Sequence, residues 1–170
     1  MHGRNDAPVV PSRAWLRIDA VDLPFAEAVV ADIGIIRDTP SGRALFRQVS
    51  ASGRSVRIEP PGKTNPPNAW VRPAELDSAT ASKPTGENTG NEVAVLRAGT
   101  GTDAVIAYRP ADWPNPAVRA PHPSDVVLFA LLQQARGVTC GEAGPPPDHD
   151  ALPDVFATPE IMQYCNERRA

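Results

Sequence analysis

The side chains able to do chemistry are few in this 170-residue chain. Its three histidines are His2, His122 and His149, and its two cysteines are Cys140 and Cys165. Asp148-His149-Asp150, with Glu142 and the cysteines nearby in sequence, offers ligand types for a metal. A well-formed zinc site wants ligands at close, repeated spacing on ordered elements. This cluster instead follows Pro145-Pro146-Pro147, where a solvated acidic patch is the expected reading. A Ser-His-Asp or Cys-His set can be drawn from the same residues, but no G-x-S-x-G turn or other signature selects one.

Gly99-Thr100-Gly101-Thr102-Asp103-Ala104 matches the pattern G-x-G-x-x-G/A in its letters. Dinucleotide binding needs a helix N-terminus directly after those glycines, to hold the pyrophosphate. Here Val105-Ile106-Ala107-Tyr108 follows and reads as a strand, so a hairpin turn is expected instead. Gly62-Lys63-Thr64 looks like the end of a P-loop, but Arg57 stands where the first glycine is required. That motif also lies between prolines rather than opening a helix. Neither predicts nucleotide binding.

Seventeen basic against 20 acidic residues leave a formal charge of −3 and a pI near 5.6. No face is basic enough to hold a polyphosphate backbone, so no nucleic acid is expected. The longest apolar run, Val126 to Leu132, falls far short of the roughly 20 residues that cross a bilayer, so no membrane insertion is expected. The start, Met1-His2-Gly3-Arg4-Asn5-Asp6, lacks the apolar stretch of a cleavable secretory signal. Two cysteines allow one bridge at most, and a reduced pair in a cytosolic chain is expected. The 20 prolines are more than twice the roughly 5% of an average protein. They predict long stiff loops around a modest core of Ala, Val, Leu and Ile, because aromatics make up only 5%.

The elements that must position these residues follow from periodicity and capping. Asp22 and Pro24 open a helix with Phe25, Val29, Ile33 and Ile36 on one stripe. Thr39-Pro40-Ser41 opens a second, with Leu45, Phe46 and Val49 inward and Gly53 past its end. Ser55 to Glu59 alternates and reads as a strand. Pro60 to Asn68 and Ser82 to Asn91 are too polar for regular elements. Val93–Leu96 and Val105–Tyr108 read as a hairpin across the Gly99–Gly101 turn. After a proline-rich loop, Ser124-Asp125 caps a third, buried helix to about Arg136, with Gly137 as its stop. A last short helix is expected over Pro159 to Glu167. The sum is an α+β domain over 22–170, with N-terminal helices, a small mostly antiparallel sheet and a central buried helix, preceded by a flexible segment over 1–21.

Three blocks carry a resemblance. They are Ile36-Arg37-Asp38-Thr39-Pro40-Ser41-Gly42-Arg43-Ala44-Leu45-Phe46 with Ser52-Gly53 and Val56-Arg57-Ile58, then Gly99-Thr100-Gly101 leading into Val105 to Pro110, then Pro123-Ser124-Asp125-Val126-Val127-Leu128-Phe129. In order and spacing, over about residues 22 to 137, they resemble the NleD-type zinc metallopeptidase effectors that bacterial pathogens inject into host cells. The resemblance implies a zincin-like fold. It also implies the motif H-E-x-x-H directly after the third block, with two histidines on one helical face holding zinc and the glutamate as general base. In that register this chain has Ala130-Leu131-Leu132-Gln133-Gln134. Ala130 and Gln134 take the histidine positions and Leu131 that of the base. Alanine offers no lone pair, leucine accepts no proton, and glutamine is a poor neutral ligand.

The expectation is therefore a pseudoenzyme, with no catalytic residue, no metal and no cofactor, that keeps the scaffold and binds a protein partner from host or bacterium. The resemblance implies a groove for an extended peptide along a sheet edge. Val105, Tyr108, Ala130, Leu131, Gln133 and Gln134 are expected to line it, and Trp70 and Trp113, on exposed loops, to supply anchors. The Ala, Arg and Pro bias points to a bacterial source. The expected location is the bacterial cytoplasm, with export by a specialised secretion system, or the host cell for an effector. Two alternatives stand beside this reading. One is an enzyme with a relocated metal or thiol site built from Glu142, His149, His122 and Cys140. The other is an immunity or chaperone protein for a secreted bacterial toxin.

Overall fold

Asp22 starts α1 (Leu23–Arg37), its carboxylate accepting from the Phe25 amide, and the stripe Phe25, Val29, Ile33 and Ile36 turns inward. The computed structural model describes residues 15–19, 22–62, 69–74, 81–82, 95–96, 101–114, 122–141 and 158–168. The Thr39 hydroxyl accepts from the Gly42 amide at 3.0 Å to start α2 (Pro40–Ala51), and donates to the Ile36 carbonyl at 2.8 Å. The corner between the two helices is so tight that a Cβ on Gly42 would overlap the Ile36 carbonyl. Gly53 follows α2 with φ of 74°, a left-handed conformation that favours glycine.

The main sheet has the order β1 (Leu16–Ile18), β2 (Val56–Glu59), β6 (Ala104–Ala107), β3 (Trp70–Pro73). β2 runs parallel to both β1 and β6, and β3 is antiparallel to β6. A separate antiparallel pair joins β4 (Ala81–Ser82) to β5 (Val95–Leu96). The sheet is thus mixed, not mostly antiparallel. The expected hairpin is also corrected: β6 pairs with β2 and β3, while β5 pairs with β4. Strand-like runs on either side of a glycine turn indicate strands, but their partners are decided by which apolar faces meet. β1, which pairs with β2, lies inside the segment 1–21 that is expected to be flexible. Alternating Leu16, Arg17 and Ile18 puts Leu16 and Ile18 in the core.

Register places Ile18, Ile58, Ile106 and Val71 in one row beneath the helices. β6, in the middle, is buried on both faces, as its unbroken Ala-Val-Ile-Ala run implies. On this sheet lies α3 (Ser124–Cys140), which touches α1, α2, β3 and β6 and is covered at one end by α4 (Pro159–Arg168). Leu128, Phe129, Leu131 and Leu132 are all 0% exposed. Each contributes about 1.5–3 kcal/mol of apolar burial, which makes α3 the centre of the core. The helix runs past Gly137 and stops at Gly141, whose φ is 73°. Its first turn is also not as expected: Pro123 takes the cap position without a side-chain bond, and Ser124 and Asp125 are used elsewhere.

Candidate functional site

Asp32 lies on the inward stripe of α1, at the seventh residue after Phe25, and is buried. Its Oδ2 accepts from the Tyr108 hydroxyl at 3.0 Å and its Oδ1 from the Ser124 hydroxyl at 2.9 Å. α1, the end of β6 and the start of α3 therefore meet at one carboxylate. Burial pushes the Asp32 carboxyl up to about 6, against the two hydrogen bonds that favour its ionised form. Burial and the neighbouring carboxylate push the Tyr108 hydroxyl well up, so it stays protonated and keeps donating. A carboxylate on an apolar helical stripe is the signal by which the sequence announces this group.

A second network begins one residue further along α3. Asp125, also buried, accepts from the Tyr164 hydroxyl at 2.7 Å and from Arg168 Nε and Nη2 at 2.6 and 2.8 Å. Burial, then the Asp125 contact, pushes the Tyr164 hydroxyl up. The Tyr164 ring stacks on Phe129 at 4.2 Å between centroids. Glu167 accepts from both the amide and the hydroxyl of Ser41, at 2.8 and 2.7 Å. Desolvation opposes ionisation of Glu167, but these hydrogen bonds outweigh it and hold the carboxyl below its ordinary value. Nothing in the spacing of Asp125, Glu167 and Arg168 gives these pairings, because they form between distant elements.

The residues expected to line a groove separate into two groups. Val105, Tyr108, Ala130 and Leu131 are at most 1% exposed and form core, not a groove wall. Val105 sits on a central strand, with β2 on one side and β3 on the other, so the expected edge is not there. Gln133 and Gln134 are half-buried at the outer side of α3. Gln133 does line a groove of about 320 Å³ between α2, α3 and α4, with Phe129 and Leu45 as apolar lining and Gln48, Glu160 and Gln163 as polar lining. Trp113 is buried, which removes it as an exposed anchor, and among the described residues its indole N–H meets no acceptor. Trp70 is half-buried on β3, with the Arg72 guanidinium 4.9 Å from its ring centroid.

β3 is an edge strand among the described residues. The Ala74 amide donates to the Asp103 carbonyl at 2.8 Å, which fixes the alternation along the pair. Arg72 and Trp70 then hold their amides towards β6, Val71 turns its amide outward, and Pro73, which has no N–H, takes the next outward position. A proline there wastes no ladder bond, and it shortens the row of donors that the edge presents.

The positions that the resemblance assigns to zinc do not fit it. Ala130 and Leu131 carry no ligand atom and are enclosed by packing, which leaves Gln134 as the one polar side chain of the set. Among the described residues no group of three or more His, Cys, Asp or Glu side chains is placed to hold a metal. Cys140 and Cys165 are unbridged. Cys140 ends α3 while His122 precedes it, about 25 Å away at 1.5 Å per helical residue, so the two cannot form a thiol–imidazole pair. Burial lowers the His122 pKa. His2, Glu142 and His149 lie outside the described residues, as do Lys63 and Thr64 of the P-loop-like stretch. Gly101 has a packing role: a Cβ there would overlap the Thr139 carbonyl, where the chain crosses the end of α3. No helix among the described residues is long and apolar enough to cross a membrane.

No family profile and no curated protein sequence matches this chain. Among solved structures it is similar to the crystal structure of the Clostridium botulinum neurotoxin serotype F light chain, with 8% identity and a TM-score of 0.49. The match covers 85% of this chain and 48% of that one, so the chain spans about half the length of the structure it matches.

Proposed function

We propose that this chain is a zincin-like scaffold without peptidase chemistry, which works by binding a protein partner. The observation that carries the reading is the burial of Ala130 and Leu131, both 0% exposed, where the resemblance to NleD-type effectors requires an open zinc ligand and base. A general base supplies 10²–10⁴ in rate in typical enzymes, and a leucine side chain supplies none of it. Core packing has taken over that face of α3, and binding does not depend on it.

The partner is read as an extended segment that adds to the edge of β3. The outward amide and carbonyl of Val71 give it backbone hydrogen bonds, and Trp70 and Arg72 flank it as side-chain contacts. This moves the binding strand from β6, the original expectation, to β3, and leaves Gln133 and Gln134 on a different face. An exported effector acting in a host cell belongs to the same reading. An immunity or chaperone role differs from it in having a bacterial partner.

Val71→Pro tests the edge, because it removes a donor that points away from β6. Val71→Ala controls for the lost packing of the buried side chain. With partners captured by cross-linking mass spectrometry and both variants checked by circular dichroism, a partner lost with the proline but kept with the alanine supports strand addition. A partner retained by both removes the edge from the account.

A further inference from the structure

α4 is attached to the rest of the fold by few buried side chains and several charged and polar contacts. Only Ile161 and Tyr164 on it are buried, against eleven buried residues on α3. A ten-residue helix does not hold its shape alone in water, so its docking contacts decide whether it stays. Those contacts concentrate in its last two turns. Glu167 takes the Ser41 amide, a donor that the first turn of α2 leaves without an intrahelical partner. Arg168 takes both oxygens of Asp125, in the first turn of α3. Tyr164 adds its hydroxyl to the same carboxylate and lays its ring on Phe129. The other end of α4 carries exposed Glu160, Met162 and Gln163.

We infer that α4 is a strap, locked by Glu167 and Arg168 onto the N-termini of α2 and α3, that opens as a unit and uncovers the Phe129 face of α3. Neither lock strands a charge when it opens. Asp125 stays at a helix N-terminus, where the peptide dipoles favour an anion, and Ser41 regains water. Glu160 and Gln163 form one wall of the groove that Gln133 lines, so release of α4 widens it from that side. On α4 only Ile161 and Tyr164 are buried, with Cys165 partly buried against the core, so the sheet, α1 and the middle of α3 stay closed. The inference does not depend on the partner or on the edge of β3.

Hydrogen exchange by mass spectrometry on the full chain tests it. In Glu167→Gln/Arg168→Met, amides of Ile161–Arg168 should exchange at least tenfold faster, with β2, β6 and Leu128–Leu132 of α3 unchanged. Asp125→Asn/Arg168→Met opens the same lock with no carboxylate left behind and should behave alike. A uniform rise across α4, β2 and β6 would make α4 part of the cooperative core and overturn the inference. So would a change in α4 below tenfold, or complete exchange of α4 already in the unaltered chain.

Discussion

The Tyr108 hydroxyl reaches Asp32 at 3.0 Å across 76 positions of sequence, and fixes the end of β6 to the buried side of α1. Ser124 holds the other oxygen of the same carboxylate. The fold thus keeps a buried acid at the junction of its three main elements. Its pKa of about 6, raised from 3.8, makes it a source of pH dependence.

The sign follows from linkage. Between about pH 4 and 6 the folded state holds the Asp32 proton more tightly than the unfolded chain does, so stability falls as pH rises through that window. At about 1.4 kcal/mol per pH unit, the loss attributable to Asp32 is of the order of 3 kcal/mol. Asp32→Asn keeps an acceptor and removes the titration. Urea melts from pH 4 to 7 should show a falling stability in the unaltered chain and, with the asparagine, the loss of that slope and a gain of about 1–3 kcal/mol at pH 7. A slope that survives the substitution would assign the dependence to other groups.

Gly101 distinguishes a packing glycine from a ligand-binding one. Gly101→Ala forces a methyl group against the Thr139 carbonyl and should cost about 1–3 kcal/mol, the range of overpacked sites. Gly62→Ala, with nothing among the described residues within 4 Å of the added atom, should stay within about 0.5 kcal/mol. Equal effects in chemical denaturation would contradict the close approach.

Leu131 tests whether the α3 face is core. Leu131→Ala should lower stability by about 2–5 kcal/mol, as for a fully buried leucine, and Gln134→His by less than about 1 kcal/mol, as for a partly exposed position. A cost below about 1 kcal/mol for Leu131→Ala would mean an open surface there, of the kind a cleft floor presents.

The local parts of the fold were legible in the sequence because their causes are local. Asp22 and Thr39 cap the helices that their types and spacing predict, and Val56 to Glu59 alternates as a half-buried strand does. The partners of the strands were not legible. A turn-like Gly99–Gly101 adjoins two strand-like runs, yet β6 is selected by the row Ile18, Ile58, Ile106 and Val71, whose members come from four separate strands. β3 was missed because Trp70-Val71-Arg72-Pro73 is short and flanked by prolines, and a proline is allowed only where its face of the strand is unpaired. Gly137 misled as a helix stop because nothing in the sequence says whether a glycine keeps helical torsions, whereas Gly141 does not keep them. The networks at Asp32 and Asp125 depend on tertiary approach. Only Asp32, on an apolar stripe, left a trace in the pattern.

The central claim, a peptidase-like scaffold with no zinc chemistry, meets its most direct test in the metal content of the purified chain. Elemental analysis after exhaustive dialysis without chelator should find less than about 0.1 equivalent of zinc, because a site without its histidine pair loses the chelate that holds the ion. A value near one equivalent would contradict the account, and would mean that this chain assembles a zinc site from residues other than those of α3.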